Sequence, residues 1–198
     1  MTRPPQHTIG GSSVAAILGY SPFQSAHDVF NRIVHGMSVE ENDAMRRGTR
    51  LESIVCDLAR DYLASNENLS VRVPWDGQSV FHPNLPMFHG TVDGLVYSEG
   101  RLVGVLELKT TTDRKRWEPE RPDYNLQGQH YLWVYNEYLK ALRKIKKPLE
   151  YWWLVCLQAS EEVFSLIETY EDAVNAIERG SARLFCDQNK STETTQRQ

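Results

Sequence analysis

The sequence predicts an α/β protein in which helices cover both faces of one central mixed β-sheet. Two long segments, 44–65 and 124–142, repeat their apolar residues with a helical period. Shorter strand-like segments lie between and after them, and one of these, 101–109, is apolar on both faces, which is typical of a central strand. The length of 198 residues fits one domain, which we place at residues 1–186. Residues 187–198 form a polar tail that we expect to be disordered.

The first three helices are predicted from turn residues, polar caps and apolar spacing. A pair of glycines precedes a short apolar run, which predicts a turn and a short helix with Ser12 or Ser13 as its N-cap. A second helix is predicted over 25–36. The third helix, over 44–65, carries an apolar stripe at helical spacing, formed by Leu51, Val55, Leu58 and Tyr62.

The rest of the chain combines strands, a charged loop and helices. Strands are predicted over residues 69–73, 78–81, 91–97 and 101–110, because their apolar and β-branched residues are separated by Pro, Gly and Asn. The segment 111–123 holds eight charged side chains and two prolines and is predicted to be a loop. The remaining predicted elements are a helix over 124–142, strands over 150–158 and 163–167, and a helix over 171–185.

Composition restricts the environment of the protein. The longest apolar run is seven residues (151–157), far below the ~20 that span a membrane, so no membrane association is expected. Three scattered cysteines, Cys56, Cys156 and Cys186, fit neither a disulfide framework nor a metal-binding spacing, and we expect a reducing cytoplasm. The net charge of −4 does not indicate nucleic-acid binding, although residues 101–150 carry 11 Lys and Arg against 7 Asp and Glu. That basic segment is either a binding surface or a solvated face.

Two acidic side chains and a lysine fall near the ends of predicted central strands. Glu107 and Lys109 lie on one face of their strand, because side chains alternate along a strand. Asp93 lies fourteen residues before Glu107 in another strand-like stretch. If the two strands are neighbours, the three side chains meet, and two carboxylates with water suit Mg²⁺ or Mn²⁺. The alternatives are a salt-bridged pair at a strand end and an Asp-Gly turn at 93–94.

Two further polar residues lie on helix faces with apolar or aromatic neighbours. Glu52 lies beside the apolar stripe of the third helix, where a carboxylate needs a partner; the alternative is a surface glutamate at the edge of the helix. Gln127 shares a helix face with Tyr124, Tyr131 and Tyr135. A buried amide should be hydrogen-bonded, so Gln127 either fastens the backbone or orients a water molecule or a phosphate.

Five segments, taken in order, resemble a known nuclease family. They are IGGS at 9–12, GTRLE at 48–52, DGL at 93–95, ELK at 107–109 and QGQHYLWV at 127–134. Together they resemble the PD-(D/E)xK nuclease superfamily and, more closely, the phage lambda exonuclease branch, also called the YqaJ viral recombinase family. The resemblance covers about residues 9–157 and implies a restriction-endonuclease-like core for the α/β fold.

The resemblance implies an exonuclease that uses Mg²⁺ to digest duplex DNA from 5′ ends and exposes a 3′ single strand for recombination by annealing. Asp93 and Glu107 would be the metal ligands, with the backbone carbonyl of Leu108 as a further ligand. Glu52 would join the same site through a second ion or its water. Mn²⁺ could replace Mg²⁺, and one or two ions would supply charge neutralisation and an activated water.

The resemblance also implies roles for other polar residues. Lys109 would hold and activate the attacking water and offset charge in the transition state. Gln127 would orient that water or the phosphate. Ser12 would contact the terminal 5′ phosphate of the DNA. Arg3, the only arginine upstream of Ser12, is the candidate for its cationic partner.

The expected partners follow from the charged loop and from the resemblance. Because it is charged and directly follows Lys109, the loop is expected to contact double-stranded DNA through Arg114, Lys115, Arg116 and Trp117; the alternative is a solvated connector with Trp117 in the core. Members of the family often form ring-shaped trimers and work with a single-strand annealing protein. The rival interpretations are an endonuclease or repair nuclease on the same fold, and a DNA-binding module without catalysis.

Overall fold

The computed structural model describes residues 7–74, 79–112 and 121–191 of the chain. The first elements are α1 (Gly11–Ile17), α2 (Ala26–His35), α3 (Asp43–Glu67), β1 (Ser70–Arg72), β2 (Val80–Phe81), β3 (His89–Gly90) and β4 (Gly94–Ser98). They are followed by β5 (Arg101–Thr111), α4 (Pro122–Ala141), β6 (Tyr151–Ala159), α5 (Glu161–Leu166), α6 (Tyr170–Glu178) and β7 (Ala182–Lys190).

These elements build an α/β fold around a mixed sheet, as the sequence predicts. The main sheet has the strand order β1-β4-β5-β6-β7. β5 and β6 are parallel, and the other neighbouring pairs are antiparallel. Because parallel strands need a crossover connection, α4 lies between β5 and β6 in the chain and packs against them. β2 and β3 form a separate two-stranded sheet that contacts α4, so the segment predicted over 78–81 does not join the main sheet.

Two apolar cores, one on each face of the sheet, hold the helices in place. On one face, the buried stripe of α3 packs against Leu106 and Leu108 of β5. On the other face, Tyr131 of α4 packs against Val105 of β5 and Trp152 of β6. Side chains therefore alternate between the two cores along β5, which confirms that it is a central strand with helices on both sides.

The long helix α3 begins and ends at asparagines. The side chain of Asn42 accepts a hydrogen bond from the backbone N–H of Met45 at 2.9 Å, which makes Asn42 the N-cap. Asn68 ends the helix in the left-handed conformation, with a φ of 52°. The helix predicted over 44–65 is confirmed within a few residues at each end.

The start of α1 differs from the prediction of a serine N-cap. Gly10 is the N-cap and makes no side-chain capping bond, so Ser12 and Ser13 lie inside the first turn of the helix. A side chain at position 10 would collide with the ring of His89, because a Cβ there would lie 2.9 Å from His89 Nε2. Glycine is therefore needed at the position that a capping serine would otherwise occupy.

The segment predicted as a strand over 163–167 is helical up to residue 166. This part belongs to α5, which begins after Ser160 and has Ile167 as its C-cap. The Ser160 hydroxyl accepts a hydrogen bond from the backbone N–H of Val163 at 3.3 Å and so caps the helix. The apolar residues of this short segment fit either a strand or a helix, and the cap decides between the two.

The last helix is shorter than predicted, and a strand follows it. α6 ends at Glu178, and Gly180 takes a left-handed φ of 70° two residues later. β7 then pairs with β6 from Ala182 to Lys190. The helix predicted over 171–185 is therefore wrong beyond residue 178. The tail predicted from residue 187 is wrong for residues 187–190, which belong to β7, and residues 192–198 lie outside the described part of the chain.

Two predictions from composition can be compared with the structure. Within the described residues, no helix is long and apolar enough to cross a membrane. Cys56, Cys156 and Cys186 are free thiols, which agrees with the absence of a disulfide framework from the sequence.

Gly128 allows α4 to lie close to the sheet. A Cβ at this position would lie 2.2 Å from the indole ring of Trp152, which is 2% exposed. We expect Gly128→Ala to lower the free energy of unfolding by about 1–3 kcal/mol, because a buried ring cannot move away without disturbing its neighbours. Urea denaturation followed by circular dichroism measures this change.

The matched control for that prediction is Gly48→Ala in α3. Open space surrounds the Cβ position of Gly48. Alanine there should raise the free energy of unfolding by about 0.5–1 kcal/mol, because it has the higher helix propensity. Equal effects of the two substitutions would contradict the close approach of α4 at Gly128.

Candidate active site

Asp93 lies immediately before β4 and is held against the central strand. Its backbone N–H donates to the carbonyl of Leu106 at 3.1 Å, and its carboxylate accepts a hydrogen bond from the backbone N–H of Leu108 at 2.7 Å. Gly94, the next residue, is already paired with Leu106 in the sheet. The Asp-Gly pair therefore leads into a strand, and the turn alternative is wrong.

Glu107 lies in the same central strand and is almost fully buried, with 6% of its surface exposed. Its Oε1 accepts a hydrogen bond from the side-chain amide of Gln127 at 2.7 Å. The same oxygen forms an ion pair with the ammonium of Lys109. A buried carboxylate is costly unless it is paired, and these two contacts offset that cost. The salt-bridged pair that the sequence offered as an alternative is thus present.

Gln127 and Tyr131 contact each other on α4. The Gln127 side-chain amide also donates to the Tyr131 hydroxyl at 2.8 Å, and only 7% of Gln127 is exposed. Gly11 of α1 makes room for both residues, since a Cβ there would lie 2.7 Å from the Tyr131 ring. Gln127 therefore reaches a carboxylate and a hydroxyl. Tyr131 was not predicted as a site residue, although its i, i+4 spacing from Gln127 could have indicated it.

Glu52 lies at the same cavity as Asp93 and Glu107. It is exposed on α3 and lines a cavity of about 150 Å³ together with Asp93, Glu107, Leu108 and Lys109. The structure thus brings the predicted acids and the predicted lysine to one cavity at the ends of β4 and β5. Glu52 is exposed, which agrees with the alternative of a surface glutamate, but it also lines this cavity.

The cavity carries a surplus of negative charge. Burial, together with the negative charges of Glu107 and Glu52, raises the pKa of Asp93 to about 7, against the opposing effects of Lys109 and the Leu108 N–H. Burial alone would lower the pKa of Lys109. The attraction of Glu107 and Asp93 outweighs burial and raises the pKa of Lys109 above its usual value. The lysine therefore stays protonated at neutral pH.

The oxygen ligands of the cavity fit a hard divalent cation. Mg²⁺ is usually bound by one or two carboxylates while water completes its shell. Asp93 and Glu107 supply two carboxylates, and Glu52 lies at the exposed edge. Among the described residues, no three His, Cys, Asp or Glu side chains are grouped closely enough to hold an ion alone. A cation held by two carboxylates would keep several waters.

Of the residues predicted to bind DNA, the structure describes only Ser12. Ser12 is exposed on α1, one residue after Gly11, whose backbone lies against Gln127 and Tyr131. The other predicted DNA-binding residues lie outside the described part of the chain, namely Arg3 and the loop residues Arg114, Lys115, Arg116 and Trp117.

Arg32 is a cation near α1 that was not predicted as a site residue. It lies on α2, and its guanidinium donates to the Ser13 hydroxyl at 3.0 Å and to the Thr8 carbonyl at 3.4 Å. Arg32 lies twenty residues after Ser12, and the packing of α2 on α1 brings it to the start of that helix. No local spacing in the sequence indicates this contact.

A family model for the YqaJ-like viral recombinase domain matches residues 4–138, about two thirds of the chain. The chain belongs to this family. The YqaJ match includes the described cavity residues on α3, β4 and β5 and also Gln127 and Tyr131. A search of curated proteins gives no significant match.

Solved structures resemble this YqaJ-family protein over nearly its whole length. LHK-Exo in complex with dAMP has a TM-score of 0.57 and 17% identity, over 96% of this chain and 80% of that one. The alkaline exonuclease LHK-Exo from Laribacter hongkongensis gives a TM-score of 0.56 and 17% identity over the same shares. A phage-related exonuclease from Haemophilus somnus 129PT has a TM-score of 0.56 and 13% identity, over 96% of this chain and 87% of that one. These structures establish the PD-(D/E)xK fold of the YqaJ-family chain.

The raised pKa of Asp93 makes the stability of the metal-free protein depend on pH. The pKa is about 7 in the folded state against an ordinary value of 3.8, so the folded state binds this proton more tightly than the unfolded state. The resulting stabilisation is complete below about pH 4 and is lost as the pH rises to about 7. We expect the free energy of unfolding in EDTA to fall over this range by on the order of 2–4 kcal/mol.

Asp93→Asn tests the assignment of that decline to Asp93. Asparagine keeps an oxygen that can accept from the Leu108 N–H but carries no titrating proton. In the variant, the free energy of unfolding should fall much less between pH 4 and 7 than in the wild type. Urea unfolding at a series of pH values measures this difference. Parallel profiles for the wild type and the variant would assign the pH dependence to another group.

Proposed function

We propose that this YqaJ-family protein is a Mg²⁺-dependent nuclease that digests duplex DNA from 5′ ends and leaves a 3′ single strand for recombination by annealing. One observation carries the proposal: Asp93, Glu107 and Lys109 line one small cavity at the ends of two adjacent strands. Phosphodiester hydrolysis needs cation ligands and a fixed positive charge, and these residues supply both. The solved structures with this fold are described as exonucleases, which supports the same reaction class.

The acids are proposed to hold the cation. Asp93 and Glu107 would be its ligands, with the Leu108 carbonyl as a further ligand and Glu52 placed for a second ion or a bound water. When bound, Mg²⁺ or Mn²⁺ would polarise the phosphate and lower the pKa of a water. Asp93 must give up its proton to bind a cation, so cation affinity should rise with pH until Asp93 is ionised. One or two ions per site are compatible with these ligands.

Lys109 is proposed to supply positive charge to the transition state. Its ammonium pairs with Glu107 and lies 5.7 Å from the centre of the Tyr124 ring. Because its raised pKa keeps it protonated, Lys109 would hold the attacking water as a hydrogen-bond donor and offset the charge that develops on the phosphate. Removal of the water proton would then fall to another group.

Gln127 is proposed to position Glu107. The family resemblance implied a contact with water or phosphate for this residue. In the structure its amide nitrogen is already shared between Glu107 and Tyr131. The amide would therefore keep the Glu107 carboxylate directed at the cavity.

Double-stranded DNA is the proposed substrate, and the other partners rest on the family resemblance. They are a single-strand annealing protein and two further copies of the chain in a ring-shaped trimer, working in the cytoplasm. A ring would account for DNA binding by a chain of net charge −4, because a basic channel can coexist with an acidic exterior.

The proposal is tested with linear and circular DNA. In Mg²⁺, end-labelled linear duplex should be digested from its 5′ ends, and covalently closed circular duplex should remain intact. Asp93→Ala and Glu107→Ala should each slow digestion at least about 100-fold, because even indirect partners of a metal contribute about 10- to 100-fold. Glu178→Ala, which removes an exposed acid at the end of α6, is the matched control and should digest at the wild-type rate.

Two outcomes of this assay would contradict the proposal. Cleavage of the closed circle would identify an endonuclease on the same fold. Wild-type digestion by purified, folded Asp93→Ala or Glu107→Ala would place the catalytic site elsewhere.

Ser12 is proposed to contact the terminal 5′ phosphate. Its hydroxyl is exposed and does not cap α1, so its loss should cost little stability. Ser12→Ala should slow digestion of 5′-phosphorylated duplex about 10- to 100-fold, because one hydrogen bond to a charged group contributes about 1.5–3 kcal/mol. Duplex with 5′-hydroxyl ends never makes that bond and should be digested at an unchanged rate. Initial rates on both substrates measure the ratio, with Ser65→Ala, an exposed serine on α3, as control. An unaltered ratio would remove Ser12 from the phosphate site.

A further inference from the structure

A second concave surface runs along α4 on a different side from Gln127. Its cavity volume is about 520 Å³, and it lies between the exposed positions of α4 and the connection to β6. We name it the lysine groove. The basic and apolar part of its lining includes Trp133, Lys140, Ile145, Lys146, Lys147 and Pro148, and one acid, Glu137, lies in the same lining.

The lysine groove lies in the most basic stretch of the chain. Residues 140–147 contain five cations and no acid, in a protein of net charge −4. A cation at the C-terminus of a helix stabilises that helix, which accounts for Lys140. Lys146 and Lys147 lie beyond the end of α4 and are exposed, so helix stability does not account for them.

Little of this positive charge is neutralised by neighbouring side chains. Lys140 pairs with Glu137 at 3.6 Å, and its side chain remains 76% exposed. Within the described ranges, no ion pair is formed by Lys146 or Lys147. A groove with unpaired lysines attracts a polyanion, because binding releases the small counterions that both partners hold.

An aromatic ring lies in the same groove. Trp133 is partly exposed there, and its ring is held in place by aromatic neighbours. The His82 ring centre lies 4.5 Å away, and the Phe88 ring meets it edge-on at 5.3 Å. A fixed, partly exposed indole beside lysines is typical of surfaces on which nucleic-acid bases stack while cations hold the phosphates.

These features favour a single strand of nucleic acid over the other polyanions. A duplex keeps its bases stacked inside and would leave Trp133 without a partner. Lysine is depleted from protein–protein interfaces, which argues against an acidic protein. The groove also lies on the helix that carries Gln127, with Lys140 thirteen residues further on, or about 20 Å along the axis.

We propose that the lysine groove binds a single-stranded DNA segment, with its phosphates on Lys140, Lys146 and Lys147 and a base stacked on Trp133. The choice of DNA over RNA rests on the proposed function, because DNA digestion would leave such a strand next to α4. The groove is separate from the cavity of Asp93 and Glu107, so it binds the strand that is kept and takes no part in hydrolysis.

The proposal is tested by binding without catalysis. Fluorescence anisotropy of a labelled oligo(dT) 20-mer is measured in EDTA, where a metal-dependent nuclease is inactive, at several salt concentrations. The triple variant Lys140→Gln, Lys146→Gln, Lys147→Gln should bind at least about tenfold more weakly, and its salt slope should fall by about 2, since each single-strand phosphate contact contributes about 0.7. A triple variant with the exposed cations Arg101, Arg179 and Arg183 changed to Gln removes equal charge elsewhere and should bind as the wild type does.

A second variant tests base stacking. Trp133→Leu should weaken oligo(dT) binding about fivefold or more, because aromatic stacking contributes strongly to single-strand affinity. It should leave the salt slope unchanged, because no charge is removed. Circular dichroism of both variants in the same buffer establishes that they are folded.

Three outcomes would overturn the proposal. Wild-type affinity of the lysine variant for oligo(dT) would show that the groove does not hold the strand. Equal loss of affinity for oligo(dT) and for a 20-bp duplex would indicate a general phosphate surface. Displacement of oligo(dT) by a poly-glutamate peptide at equal charge concentration would point to an acidic protein partner.

This experiment is independent of the nuclease assay. A wild-type protein that fails to digest DNA but loses oligo(dT) affinity on lysine substitution would refute the proposed function and support the groove. Normal digestion by the wild type, together with unchanged oligo(dT) affinity in the lysine variant, would support the proposed function and refute the groove.

Discussion

The burial of the Glu107 carboxylate is the constraint on which the candidate site depends. A charge in the interior of a sheet protein needs hydrogen-bond and ionic partners, and Glu107 finds them in Lys109 two residues later and in Gln127 on α4. The lysine is local to the strand, but the amide requires α4 to lie close to the sheet. Gly128, which faces Trp152, permits this approach, and Gly11 lets α1 lie against the Gln127–Tyr131 pair.

The same constraint explains the electrostatics of the cavity. Burial of Asp93 and the negative charge of Glu107 raise the pKa of Asp93 to about 7, because Lys109 offsets only part of the negative charge. Replacement of that proton by a divalent cation would relieve the repulsion between the acids.

Local patterns were sufficient for the centre of the fold and for most of the cavity. The alternation along β5, the apolar stripe of α3 and the positions of Asp93, Glu107 and Lys109 are all properties of short segments, and the structure agrees with them. The wrong or missing predictions concern residues whose structure depends on contacts with distant parts of the chain. The polar end of β7 is a strand because it pairs with β6 along its whole length, which intrinsic propensity does not reveal. Arg32 reaches α1 only through the packing of two helices, so nothing in the local sequence could have indicated it.

The parallel pairing of β5 with β6 has a consequence for how the site is assembled during synthesis. Gly94 pairs with Leu106 only twelve positions away, so Asp93 and Glu107 come together through a short chain closure. Gly104 pairs with Tyr151, forty-seven positions away, and this long closure seats the crossover helix. Contacts between distant positions form more slowly than local ones. During synthesis on a ribosome, Asp93 and Glu107 can therefore come together before β6 is synthesised. The Gln127 amide reaches Glu107 only after β6 has fixed α4 against the sheet.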